Sequence, residues 1–234
     1  DGNGRLPATV WSATPLFDKS RTLYLIDRAK SAIRKTGQAV IVEGYTDALM
    51  AHQGGFENVV ASLGTALTPQ QVALLTRYAK RIALAYDVDA AGEKAGTFGA
   101  TALEELIRQL AADDSGVELD DVRVVRLPEG KDPDEVLRDE PDRWREEVRT
   151  AKPIVDHLLD VHARARDLKT AGGKARYAEA ALDVIRSLPP LLRDPYLQQI
   201  SQQSGIGQGA LLVALREAPS RRADTRFTAS AVVA

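Results

Sequence analysis

Apolar residues fall into short unbroken runs in the first half of the chain and into helical spacing in the second. Ala39-Val40-Ile41-Val42, Asn58-Val59-Val60-Ala61, Ile82 to Tyr86 and Val122 to Leu127 are the four runs. Runs this short, each close to a helix start, predict buried parallel strands. Between them the pattern predicts helices over about 22–35, 45–53, 68–78 and from 90 to about 110. Gly37 stops the first, with Leu23, Ile26, Ala29 and Ile33 as its apolar stripe. Thr68-Pro69-Gln70-Gln71 reads as a capping box with Pro at the first helical position. Alternation of strand and helix implies a parallel sheet with right-handed crossovers. After Pro128 the pattern turns wholly helical, over 134–138, 141–149, 153–168, 174–188, 194–203 and 207–217. Asp132-Pro133-Asp134-Glu135 opens that part as a second capping box. His162 falls on an apolar stripe and reads as a helix-face residue rather than a ligand.

Composition changes this picture little. The 234 residues carry a net charge of −2 and no cysteine, which excludes disulfides and cysteine-ligated zinc within the chain. No apolar run approaches the ~18 residues of a membrane span. Charge is uneven: residues 1–37 hold seven Lys or Arg against three Asp. That excess is a solvated helix face or a flank that meets phosphates, with Lys19 and Arg21 at its centre. The start Asp1-Gly2-Asn3-Gly4, without Met, suggests a piece of a longer protein.

The chemistry gathers at the strand ends. Glu43 closes the first strand, and Asp87 and Asp89 close the third. In a parallel sheet those ends share one edge, where ligands bind. Asp47 lies one helical turn beyond Glu43, and Lys131-Asp132-Pro133-Asp134 follows the fourth strand to the same edge. Six carboxylates with no His or Cys suit Mg²⁺ or Mn²⁺. Two such ions would clamp an in-line phosphoryl displacement. The structural alternatives differ by residue. Asp89 and Asp132 are adequate N-caps, Asp134 suits any first helical turn, and Asp47 could be a solvated helix residue. Glu43 has the weakest such alternative, because a carboxylate closing a buried strand is costly alone. A P-loop and a Gly-x-Ser-x-Gly elbow are absent, and Ala90-Ala91 stand where a dehalogenase-like phosphatase needs Thr or Ser.

Glu43 after one strand and Asp87-x-Asp89 after a later one resemble the Toprim domain of topoisomerases, bacterial primases and some nucleases. The finer resemblance is to the bacterial DnaG-type primase family. It rests on Val42-Glu43-Gly44-Tyr45-Thr46-Asp47, Ala61 to Thr68, Tyr86 to Gly92 and Leu127 to Asp134, in order and at similar spacing, and covers about 12–215. Val88 replaces the family's usual Gly, and Ala8 to Ala13 replace a Lys-Tyr-x-Asn-Ser-Pro-like segment.

The resemblance implies an α/β fold, with a Toprim-type parallel four-stranded sheet flanked by helices and an all-α helical subdomain after it. Residues 1–37 would end the preceding subdomain, 38–130 form the Toprim domain, 131–217 the helical subdomain and 218–234 a linker. It also implies synthesis of short RNA primers on single-stranded DNA from ribonucleoside triphosphates, with Mg²⁺ or Mn²⁺, in the bacterial cytoplasm. Glu43, Asp87 and Asp89 would hold the main metal site, and Asp47, Asp132 and Asp134 a second. Lys131, Lys19 and Arg21 would meet nucleotide or nucleic-acid phosphates. Zinc and the replicative helicase would bind domains absent from this chain. A Toprim nuclease and a non-catalytic DNA-binding scaffold are the alternatives.

Overall fold

The computed structural model describes residues 18–62, 67–86, 100–112, 121–128 and 131–217. Five strands form one sheet: β1 (Gln38–Val42), β2 (Val59–Ala61), β3 (Arg81–Leu84), β4 (Val122–Val124) and β5 (Lys152–Pro153). Their order is β2-β1-β3-β4-β5. The first four are parallel, as expected, and β5 runs antiparallel to β4. The expected sheet of four thus gains an edge strand. Two residues are too short to show a period of two, so β5 left no signal in the sequence.

Helices cover both faces, which is why the strands read as unbroken apolar runs. One face carries Ile41, Val60, Ile82, Leu84, Val122 and Val124. It is covered by α1 (Ile26–Thr36), α3 (Pro69–Thr76) and α4 (Ala100–Ala112). The other face carries Val40, Val42, Val59, Ala61 and Ala83. It is covered by α2 (Tyr45–Gln53), α5 (Pro133–Asp139) and α6 (Pro141–Arg149), with Trp144 of α6 fully enclosed. Alternate residues of each strand go to opposite faces, as the pleat requires.

The remaining helices are α7 (Ile154–Arg164), α8 (Ala171–Arg186), α9 (Pro190–Ser204) and α10 (Gln208–Glu217). Their core is continuous with the first sheet face, through Ile154, Val155, Leu158 and Leu159 of α7. His162 of α7 meets Glu104 of α4 at 2.9 Å, so it is a helix-face residue, as its stripe predicts. α9 starts at Pro190 and runs through Pro195, four residues earlier than the expected 194. Pro190 sits at the first helical position, which needs no N–H.

The first helix also starts later than expected, at Ile26. Tyr24 pairs with Ala61 in an isolated bridge, and Leu25 then adopts φ 63°. Left-handed backbone at a non-glycine residue costs of order 1–3 kcal/mol and persists only where its surroundings enforce it. At the other end Gly37 takes φ 70° as the helix stop.

Gln71 anchors the N-terminal segment. Its side chain is buried, and Nε2 donates to the carbonyls of Lys19 and Thr22, both at 2.9 Å. Oε1 accepts from the Thr68 amide at 3.1 Å, while Thr68 Oγ1 accepts from the Gln71 amide at 3.2 Å. The capping box therefore also ties residues 19–22 to α3. Gln71→Ala should destabilise the chain by about 2–3 kcal/mol, because it strands two carbonyls and an amide. Urea unfolding monitored by circular dichroism checks this, and a loss below about 0.5 kcal/mol would remove the anchor.

Candidate functional site

The sheet reverses direction between β1 and β3. The chain passes from β1 outward to β2, then returns to place β3 on the other side of β1. Crossovers on opposite faces diverge there and open a crevice at the carboxyl ends of the two strands. Glu43 follows β1, and Tyr86 lies two residues past the end of β3. Asp87 and Asp89 fall outside the described residues, as do Leu63 to Ala66.

What is described converges. Ser62 donates its amide to Val42 at 3.1 Å, and Ala85 donates to Ile41 at 2.8 Å, so three strands continue in register to this edge. The Tyr86 phenol is buried against Ser62 and Glu43. Burial pushes its pKa well above the ordinary range, a hydrogen bond with Ser62 opposes this, and the charge of Glu43 adds to it. Ser62 and Tyr86 were not singled out as site residues. Their signal was positional, since each follows a strand that ends at this edge.

Asp47 sits in the first turn of α2, and its carboxylate accepts from the Gly44 amide at 3.2 Å. A Cβ on Gly44 would stand 2.8 Å from that carboxylate oxygen, so glycine gives the side chain room to fold back. α5 packs against α2. Asp132 and Asp134 at the start of α5 thereby act on Asp47. Burial pushes the Asp47 pKa up to about 6, the Gly44 amide opposes this, and Asp134, Asp132 and Glu43 push further in that order. Asp47 thus lies within electrostatic reach of three of the other expected carboxylates, Glu43, Asp132 and Asp134. At the start of α5 Glu135 accepts from the Asp132 amide at 3.2 Å, the reciprocal half of the expected capping box.

The expected phosphate contacts are less focused. Lys131 is paired with Glu140, which Arg143 also contacts at 3.1 Å. Lys19 and Arg21 lie on one 3₁₀ turn, where exposed Arg21 meets Asp18 at 4.0 Å. Among the described residues no group of three or more His, Cys, Asp or Glu is placed to hold an ion. The donor set is nonetheless all hard oxygen. Burial, with three acidic neighbours adding to it, keeps the Asp47 proton up to about pH 6, and a cation beside the carboxyl would favour its charged form.

Comparison with known proteins decides the family. A family model described as Toprim-like matches residues 40–137, and one described as the DnaB-helicase binding domain of primase matches residues 155–209. The DNA primase of Clostridium acetobutylicum is 36% identical over 200 residues, 85% of this chain and 31% of that protein. The chain belongs to the DnaG-type DNA primases. It spans about a third of the length of the curated primases it matches. A primase domain from Pseudomonas aeruginosa superposes with TM-score 0.70 at 28% identity, over 88% of this chain and 62% of that one. A DnaG primase catalytic domain bound to single-stranded DNA gives TM-score 0.66 at 28% identity, over 85% and 61%. The helicase-binding domain was expected outside this chain. The primase family model of that description instead falls within it, on α7 to α9. That region reads as packed helices, and its apolar spacing carries no mark of a partner.

The raised pKa of Asp47 has a sign that can be tested. The folded state holds this proton up to about pH 6, whereas the unfolded state releases it near 3.8. Stability contributed by protonated Asp47 is therefore full below 3.8 and lost as pH rises through 6. His157 opposes this. Burial pushes its pKa down to about 4, so it costs stability as pH falls below 6.5. The contrast of variant with parent isolates Asp47. Metal-free Asp47→Asn should gain on the parent between pH 4 and 7, ending roughly 2–4 °C higher in melting temperature. A difference that stays flat across that range would refute the shift.

Proposed function

We propose that this chain is the nucleotidyl-transfer core of a primase, whose whole protein makes short RNA primers on single-stranded DNA during replication. The observation that supports the reading is half-buried Asp47, beyond the strand end at the switch point of the sheet and under the charges of Asp134, Asp132 and Glu43, in a chain of this family. Glu43, Asp87 and Asp89 would hold the main Mg²⁺ or Mn²⁺ ion, and Asp47, Asp132 and Asp134 would hold a second. Bound there, the ions supply charge that lowers the pKa of an attacking 3′-hydroxyl and stabilises a leaving pyrophosphate. The protein's own part is to hold the carboxylates in place. Gly44 fixes Asp47 through its amide, the α2–α5 contact keeps the charges of Asp132 and Asp134 on it, and buried Tyr86 lies within reach of the Glu43 charge. Ribonucleoside triphosphates and a single-stranded template are the substrates, in the cytoplasm. The replicative helicase is a partner, engaged through the region of 155–209 that matches the helicase-binding model. A solved catalytic domain similar to this one binds single-stranded DNA, which supports the template.

Crystals soaked in Mn²⁺ should show anomalous peaks at Glu43 and Asp47, strengthened by a nucleoside triphosphate. In the full-length protein, Glu43→Gln should lower Mg²⁺-dependent ribonucleotide incorporation by about 100-fold or more. Incorporation that survives this change would favour the scaffold alternative. Metal-dependent strand cleavage without incorporation would favour a nuclease.

A further inference from the structure

Tyr45 is the residue the carboxylate site leaves unused. It opens α2 between Glu43 and Asp47, yet 51% of its surface is exposed. Leu49, one turn along the same helix face, is 44% exposed. An open aromatic with an open leucine on one face of the helix that carries Asp47 is an apolar surface the carboxylates do not account for.

The ring is also held in place. Tyr24 packs against it edge to face, with centroids 6.1 Å apart and planes at 73°. Tyr24 is itself fixed by two backbone hydrogen bonds to Ala61, at 2.9 and 3.2 Å. The left-handed turn at Leu25 follows at once and lets the chain leave that bridge for α1. Backbone strain is thus spent on the segment that buttresses Tyr45. Upstream, three to five residues before Tyr24, the same segment presents Lys19 and Arg21. Cations followed by a fixed, exposed aromatic are the two components of a single-strand site: backbone phosphates follow the charge and bases stack on the ring.

We infer that Tyr45, buttressed by Tyr24 and extended by Leu49, is a stacking platform for a base of single-stranded nucleic acid, on the helix that carries Asp47, with Lys19 and Arg21 on its phosphates. The inference rests on the nucleotidyl-transfer reading for its purpose. Its chemistry is independent of metal, because stacking needs only a π-face and tolerates any base. The platform therefore places a strand at the crevice without selecting its sequence.

The test is the binding of a labelled single-stranded oligonucleotide of about 12 bases to the chain in EDTA, followed by anisotropy at several salt concentrations. Tyr45→Ala should weaken binding at least about fivefold, while Tyr45→Phe stays within about twofold of the parent. Neither should change the salt slope, whereas Arg21→Ala should flatten it. A purely structural Tyr45 would not separate Ala from Phe in this way while both variants melt like the parent. A parent chain that binds no strand, or Tyr45→Ala within about twofold of it, overturns the platform. A nucleoside triphosphate that quenches Tyr45→Trp as readily as the strand does overturns the assignment to a strand. EDTA removes the metal site from the measurement, so Mn²⁺ binding at Glu43 and stacking at Tyr45 can fail separately.

Discussion

Parallel strands buried on both faces have nowhere to put polar groups except their ends. In this chain β1, β2 and β3 present no charged residue to either core. Glu43, Ser62 and Tyr86 appear where the strands stop. The reversal of strand order between β1 and β3 then parts the covering helices and leaves those ends accessible. A sheet wound in one direction would cap the same residues with its own loops. The site is a consequence of that topology, and the carboxylates are what this sequence has placed in it.

Holding carboxylates there is unfavourable, and the structure offsets only part of the cost. The Gly44 amide and the N-terminus of α2 both favour a charged Asp47. Burial and three neighbouring acids outweigh them, and the net shift is upward. The reciprocal case is Asp18, where exposed hydrogen bonds to Ser20 hold the carboxyl below its usual range. The contrast shows what decides the sign. Local amides suffice at the surface, and they fail where desolvation and like charge act together.

Most of the fold was legible because burial on both faces leaves an unbroken apolar run, and α2, α6 and α10 agree with their periodic stretches to within a residue. What escaped the sequence shares a physical cause. β5 is two residues whose only signature is pairing with Arg123 and Val124. The delayed start of α1 depends on a bridge from Tyr24 to Ala61, 37 residues away, and on strain at Leu25 that no local propensity favours. Gln71 looked like a capping residue and is one, but its amide also reaches Lys19 and Thr22 across some fifty positions. Of the site, Glu43, Asp47, Asp132 and Asp134 could be read from strand ends and helix starts. The pairing of Lys131 with Glu140 could not be read, because that partner lies on the helix junction beyond it.

The helical half bears on the site through packing. Its apolar cluster runs unbroken from Leu211 and Tyr177 through Leu158 to Leu84 and Ile41 in the sheet. α5 and α6 belong to the opposite face, with Val136 and Trp144 against Val42 and Ala61. The stretch from residue 133 onward therefore adds helices to both faces of the sheet, beside α1 to α4. α5 brings Asp132 and Asp134 to the crevice, and α7 ties the opposite face to α8 and α9. Close-packed interiors transmit displacement because they have little free volume to absorb it. A shift of α5 relative to α2 would thus change the spacing of the carboxylates directly. A load on α7 to α9 would reach them through the sheet, by way of Leu158 and the strands between the two faces.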